Sequence, residues 1–292
     1  MAVNVLPFRF PGIPGVRCAF HIRYQPPQTQ PEQTSRNTPI PPLQAPPDFS
    51  GGNISHDVGD NSEEVTENRR RLLQVLGVGT WCELRQVHGD RLIFDPCSIP
   101  PEGAVSEKTK AALPPQGHTG IAGSEARAAT MPEADGSATD IPGRVLVIKT
   151  ADCQPILLAH KEGQHIAALH VGWRGNRIGF IETAVTRFCD QYGLRPAEIM
   201  AVRGPSLGPA MAEFTNFATE WGADWTPWYD TARQTMDLWQ LTRHQLQCAG
   251  LPASHIFGLD LCTHSLPERF FSYRRNRRCG RQAALVWIEG AT

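Results

Sequence analysis

Three short apolar runs lie within residues 145–171, and they constrain the fold more than any other part of the chain. Val145–Thr150 (VLVIKT) reads as a largely buried strand, residues 156–159 as a second and Ile166–Val171 as a third. A helix is expected next. Ile178, Ile181, Val185, Phe188 and Tyr192 recur at helical spacing, Asn176 can cap the start, and Gly193 can take the left-handed position at the end with Pro196 just beyond. Elsewhere, Asn61 or Ser62 can cap a helix striped by Val65, Leu72 and Leu76 and ended by Gly77, and residues 237–248 form another, stopped by Gly250. Residues 270–273 and 283–288 read as two strands joined by an arginine-rich turn. Strands and helices alternate without a strict repeat, so the expected class is α/β or α+β with mixed sheets.

The remainder of the chain fits one domain over residues 1–292, long enough to bury a sizeable core. Two segments read as insertions into it. Residues 25–48 hold eight prolines in 24 positions, which leaves few backbone donors for a ladder, and residues 98–133 mix Pro-Pro pairs with Gly, Ser and Ala without periodicity. Lys+Arg 28 against Asp+Glu 29 gives a net charge of -1, so no overall field attracts nucleic acid or an anionic membrane, and any anion site must be local. No run approaches the ~18 apolar residues of a membrane span, and residues 1–11 lack the cationic and apolar regions of a signal peptide. The expected location is the cytoplasm. Eight cysteines without a C-x-x-C pair agree with reduced thiols, most of them buried as small hydrophobes.

Chemistry concentrates at two strand exits. Thr150-Ala151-Asp152-Cys153 follows the first strand, and His170-Val171-Gly172-Trp173-Arg174-Gly175 closes the third and opens the helix. The strand-to-helix turn presents free N–H groups, an arrangement suited to anions. Cys153 and His170 belong to one short unit, so their side chains can converge as a catalytic pair or as most of a metal site. Each also has a plain structural reading, Cys153 as a buried small residue and His170 as a satisfied core histidine, and His88 in Gln86-Val87-His88-Gly89 shares that ambiguity.

Taken in order, Gln86-Val87-His88-Gly89, Thr150-Ala151-Asp152-Cys153-Gln154-Pro155, His170-Val171-Gly172-Trp173-Arg174-Gly175, Gly204-Pro205-Ser206-Leu207-Gly208-Pro209, and Phe270-Phe271-Ser272-Tyr273-Arg274-Arg275 with Gly280-Arg281 resemble the motifs of one family. It is the YfiH-like laccase-domain family, also known by the names multicopper polyphenol oxidase and purine nucleoside phosphorylase, and the likeness runs from about Arg23 to Ile288 outside the two insertions. The resemblance implies a single four-layer α/β/β/α domain similar to cysteine hydrolases of the cytotoxic-necrotizing-factor type. It implies a metal site of His88, Cys153 and His170, which would also be the catalytic residues. The family's Leu-Asn-Leu-Gly segment appears as Gly52-Asn53-Ile54-Ser55, which brings Asn53 into the expected substrate site; a histidine common shortly after it is Asp57 here, and Glu213-Phe214-Thr215 stands near the family's Phe-Glu-Val.

Three protein ligands leave a fourth position on Zn²⁺ open, as in catalytic zinc sites, and one Cu ion could occupy the same donors. The implied activity is phosphorolysis of adenosine, inosine or methylthioadenosine, with adenosine deamination at the same zinc, so the expected partners are a small nucleoside and phosphate. Asp152 and Asp135 are candidate proton carriers. Val65, Asn68, Arg69 and Leu72 stand at i, i+3, i+4 and i+7, so Arg69 interrupts an inward stripe and is expected to bind substrate phosphate, or else to snorkel to the surface or pair with a carboxylate. Arg174 is a second phosphate candidate, and of the cluster Arg274, Arg275, Arg277, Arg278 and Arg281 only Arg274, beside Tyr273, is expected to face the site. The ten histidines include no H-x-H pair, which disfavours multicopper electron transfer. The alternative enzyme is a metal-independent Cys–His amide hydrolase that edits cell-wall precursors, and a non-enzymatic metallo-scaffold ranks below it.

Overall fold

Apolar alternation along the strands sorts the core into layers. The computed structural model describes residues 4–23, 48–96 and 131–290. On β6 (Gln154–His160) Ile156 and Leu158 face one way and Leu157 and Ala159 the other, and β7 (Ile166–Val171) sets Ala167, Leu169 and Val171 against Ile166 and Ala168. Both strands are therefore packed on two faces, which only an inner sheet permits. They lie in a six-stranded sheet of order β11-β8-β6-β7-β4-β3, completed by β3 (Leu92–Phe94), β4 (Gly136–Thr139), β8 (Ile199–Arg203) and β11 (Ile256–Gly258). Its outer pairs are parallel and its inner pairs antiparallel.

A four-stranded antiparallel sheet lies against it, with β1 (Asn4–Phe8), β2 (Val16–Ile22), β12 (Gln282–Ile288) and β5 (Val145–Thr150) in that order. Val16, Cys18, Phe20, Leu146, Ile148, Ala284 and Val286 meet the six-stranded sheet, while Val145, Val147 and Leu285 face outward. The outward face is covered by α1 (Ser62–Leu76) through Leu72 and Leu73. The far face of the six-stranded sheet is covered by α3 (Phe180–Tyr192) and α5 (Leu238–Cys248). The result is a four-layer α/β/β/α sandwich. A smaller aromatic cluster includes α4 (Phe217–Glu220) and the two-residue strands β9 (Tyr229–Asp230) and β10 (Thr235–Met236).

Local signals set several ends as expected. Asn61 Oδ1 accepts from the amides of Glu63 and Glu64, a cap that contributes ~1 kcal/mol, and Gly77 closes α1 with φ 69°. Gly193 closes α3 in the same way. Three expectations fail. The helix after β7 is broken: α2 (Trp173–Arg177) ends before Gly179, whose φ of 70° starts α3 afresh, so Ile178 at the junction is 51% exposed. Asn176 is buried inside α2 rather than capping it, and its amide group bonds Gln154, Thr242 and Gln245. Residues 270–273 form no strand, because the Gln282 side chain takes both the N–H and the C=O of Phe271.

The free edge of β5 is covered by an irregular segment. Cys82 exchanges backbone hydrogen bonds with Val145 and Val147, and further along the Gln86 side chain accepts from Lys149 N and donates to Lys149 O, both at 2.8 Å. The expected insertions lie outside the described residues except at their ends. There Asp48 pairs with Arg23 and bridges to Cys279, and Met131 is buried. Among the described residues no helix is long and apolar enough to cross a membrane.

Candidate metal centre and its pocket

Because β5 belongs to one sheet and β6 to the other, residues 151–153 cross between the layers and carry Cys153 to the seam. On β7 the alternation places His170 on the face of Ile166 and Ala168, toward the same seam. His88 arrives from the segment that edges β5. The structure brings the three together: their ligand atoms all lie within 4.8 Å of one another, and Cys153 Sγ stands 3.7 Å from His88 Nε2. Zn–S and Zn–N bonds of ordinary length at a tetrahedral angle separate sulfur and nitrogen by about 3.6 Å, so this donor set fits zinc.

One buried carboxylate fixes both histidines. Asp135 Oδ1 accepts from His170 Nδ1 at 2.7 Å, which leaves Nε2 as that ring's free nitrogen. The same carboxylate accepts from the amides of Val87, His88 and Gly89 at 3.2, 2.9 and 2.7 Å. His88 has φ 61°, a conformation that costs a non-glycine residue ~1 kcal/mol or more and that these bonds hold in place. Asp135 is therefore committed as an anchor, which argues against the expected role as proton carrier. Gly172 is needed on the other side, since a Cβ there would stand 3.0 Å from Cys153 Sγ and 3.1 Å from His88 Cδ2.

The electrostatics follow from this packing. Burial raises the Cys153 thiol, but the charge of His170 and hydrogen bonds from His170 and His88 outweigh it and bring the pKa down to about 6. Burial lowers His170, yet Cys153 and Asp135 together raise it to about 9. Without an ion the pair is thiolate and imidazolium at neutral pH. Burial pushes the Asp135 carboxyl up, and its bonds to His170 and to the amides of Gly89 and His88 bring it below the usual range.

The trio sits in a pocket of about 980 Å³. Its lining includes the apolar and aromatic side chains of Trp173, Leu207, Phe214, Leu238 and Tyr273 and the guanidinium groups of Arg174, Arg274, Arg277 and Arg281. The guanidinium of Arg174 lies 4.4 Å over the Trp173 ring. Asp152, with φ 97°, ties three segments of the lining together: its carboxylate accepts from Thr263 Oγ1 and the Arg274 amide, and its carbonyl from Leu207 N.

Of Asn53, Arg69 and Arg174, expected to bind substrate, only Arg174 lines this pocket, and Arg274 faces it as expected. Arg69 is buried and points away, with a bidentate pair to Glu83 at 2.8 and 3.0 Å and a bond to Ile54 O. The carboxylate partner, one of the expected alternatives, is the one found. Asn53 is fully buried and organises loops, bonding Ser55, Asp60 and the Arg281 amide. Sequence reasoning gave the site too few arginines: Arg277 and Arg281 join Arg274, whereas Arg275 turns inward to the carbonyls of Thr263, His264 and Phe270. Their motif, Tyr273-Arg274-Arg275, was visible, but the direction of each side chain was not.

Known proteins agree with this architecture. A purine nucleoside phosphorylase of Xylella fastidiosa is 35% identical over 253 residues, covering 81% of this chain and 84% of that protein. The Escherichia coli purine nucleoside phosphorylase YfiH is 31% identical, covering 83% and 88%. Among solved structures, a Neisseria meningitidis protein superposes with a TM-score of 0.69 at 25% identity over 98% of this chain and 100% of its own, and YlmD of Geobacillus stearothermophilus with 0.71 at 24% over 96% and 94%. Residues 44–289 match the family model described as multi-copper polyphenol oxidoreductase laccase, and with the fold and relatives above the chain belongs to this YfiH-like laccase-domain family.

Proposed function

We propose that the protein is a zinc-dependent purine nucleoside phosphorylase acting on adenosine, inosine or methylthioadenosine. The observation that carries this reading is the convergence of His88, Cys153 and His170 in a pocket lined by aromatic and by arginine side chains. The relatives' names supply the reaction class. In phosphorolysis a phosphate oxygen bonds to C1′ of the ribose while the bond from C1′ to the purine nitrogen breaks; the electron pair leaves with the base, which takes up a proton. Arg174, Arg274, Arg277 and Arg281 would hold the phosphate, since guanidinium forks match its oxygens. Trp173 and Phe214 would stack on the purine and keep water away from it. A zinc ion on the trio supplies a Lewis acid that stabilises developing negative charge. A copper ion would satisfy the same three donors. Deamination of adenosine, with water in and ammonia out, belongs to the same proposal as a phosphate-independent activity. The seven described cysteines are free thiols, which supports a reducing, cytoplasmic setting.

The test combines metal analysis with base release from the three nucleosides, with and without phosphate. Phosphate-dependent release that disappears together with the metal in Cys153→Ser is the expected result. A second reading, a Cys–His amide hydrolase, is favoured by the Cys153 pKa of about 6 and by the His170 pair to Asp135. Amide turnover that survives complete chelation would replace the phosphorylase reading with this one.

A further inference from the structure

Among the described residues that line the pocket, only Asp57 and Asp152 carry carboxylates, and they differ in what remains free. Both Asp152 oxygens are taken, Oδ1 by Thr263 Oγ1 at 2.7 Å and Oδ2 by the Arg274 amide at 2.6 Å. Asp57 accepts through Oδ2 alone, from Lys149 Nζ at 2.9 Å and, more weakly, from the Ser55 hydroxyl at 3.5 Å. Among the described residues Oδ1 has no hydrogen-bond partner, and the side chain is 60% exposed. The group is nevertheless held in place. The Asp57 amide donates to Ser55 Oγ at the start of the short 3-10 turn His56–Val58, and Gly59 closes that turn with φ 83°. Lys149 is pinned in its turn by Glu83 at 2.6 Å, and Glu83 by Arg69.

We propose that Asp57 is the acceptor for a sugar hydroxyl of the bound nucleoside, and so sets the preference for ribosides. This rests on the phosphorylase reading. Apart from the trio and Asp152, whose two oxygens each already accept a hydrogen bond, the other charged side chains lining the pocket are guanidinium or ammonium groups, which only donate. They suit phosphate, which arrives with acceptors. A ribose arrives with adjacent O–H donors, and the one charged acceptor left open to receive them is Asp57 Oδ1. The flanking Lys149 keeps that carboxylate ionised, and a charged acceptor discriminates strongly against an analogue that lacks the donor.

The experiment titrates the zinc-loaded wild type and Asp57→Asn with inosine and with 2′,3′-dideoxyinosine by calorimetry, and then measures phosphate-dependent base release from both. The wild type should bind inosine about tenfold or more tightly than the dideoxy analogue, and in Asp57→Asn the ratio should fall to within about threefold at unchanged zinc content. An unchanged ratio in the variant overturns the assignment. Nucleoside binding without phosphate-dependent release overturns the phosphorylase reading and leaves the hydroxyl contact standing. Absence of binding to both nucleosides overturns both.

Discussion

Asp135 and His170 are joined twice: the Asp135 carbonyl accepts from the His170 amide at 2.7 Å, and its carboxylate accepts from the His170 ring Nδ1 at 2.7 Å. The imidazole is thereby fixed to the backbone of the neighbouring strand. Asp135→Asn keeps the shape but replaces one carboxylate oxygen with an NH₂ donor, which cannot accept from the ring and the three loop amides together. Zinc affinity should fall ~10- to 100-fold with the fold retained, read by chelator competition alongside circular dichroism. Wild-type affinity in a folded Asp135→Asn protein would show that the carboxylate does not position the ligands.

In the metal-free protein, Cys153 should react with iodoacetamide as a thiolate from low pH upward. The rate should rise through a midpoint near pH 6, because His170 and His88 offset the effect of burial. His170→Gln should move that midpoint upward. A wild-type midpoint in the range of an ordinary thiol would refute the charge arrangement at the seam.

His21 gives the fold a pH dependence unrelated to the site. Burial in β2 lowers it from 6.5 to about 4. Above pH 6.5 neither state carries the proton, and the stability is fully present; as pH falls toward 4 the unfolded chain takes up a proton that the folded chain refuses. This group alone should remove about 3 kcal/mol across that window. Urea midpoints between pH 7 and 4 should fall less steeply for His21→Leu than for the wild type.

Arg69→Ala should act on stability before it acts on catalysis. The change removes two charge-assisted bonds from buried Glu83, whose remaining contacts include Lys149 and Trp81, at a cost of about 3 kcal/mol. A large drop in melting temperature is expected. An unchanged melting temperature with phosphate dependence lost would return Arg69 to the substrate.

What could be read in the sequence was local or periodic. Val145–Thr150 and Ile166–Val171 are strands because both of their faces are apolar, and Gly77 and Gly193 end helices because the left-handed position suits glycine wherever it falls. The positions of Cys153 and His170 at strand exits, together with the family motifs, picked out the three side chains that converge. Long-range side-chain bonds were not legible. Nothing near Asn176 announces Thr242 or Gln245, nothing near Arg69 announces Glu83, and the Gln282 amide that occupies Phe271 lies eleven residues away. Asp135 could be named as an acid but not as the anchor of two loops, since its partners come from both sides of an insertion.

The covering of β5 has a further consequence. A bare outer strand offers a ladder of unpaired N–H and C=O groups to any other extended chain, and in this sheet the segment that blocks it, Cys82 to Gln86, leads directly into His88. Solubility and ligand geometry therefore depend on the same few residues. Movement of that segment away from β5 would displace the His88 imidazole and at once open an edge for self-association, so the contacts that guard the edge also hold His88 in place.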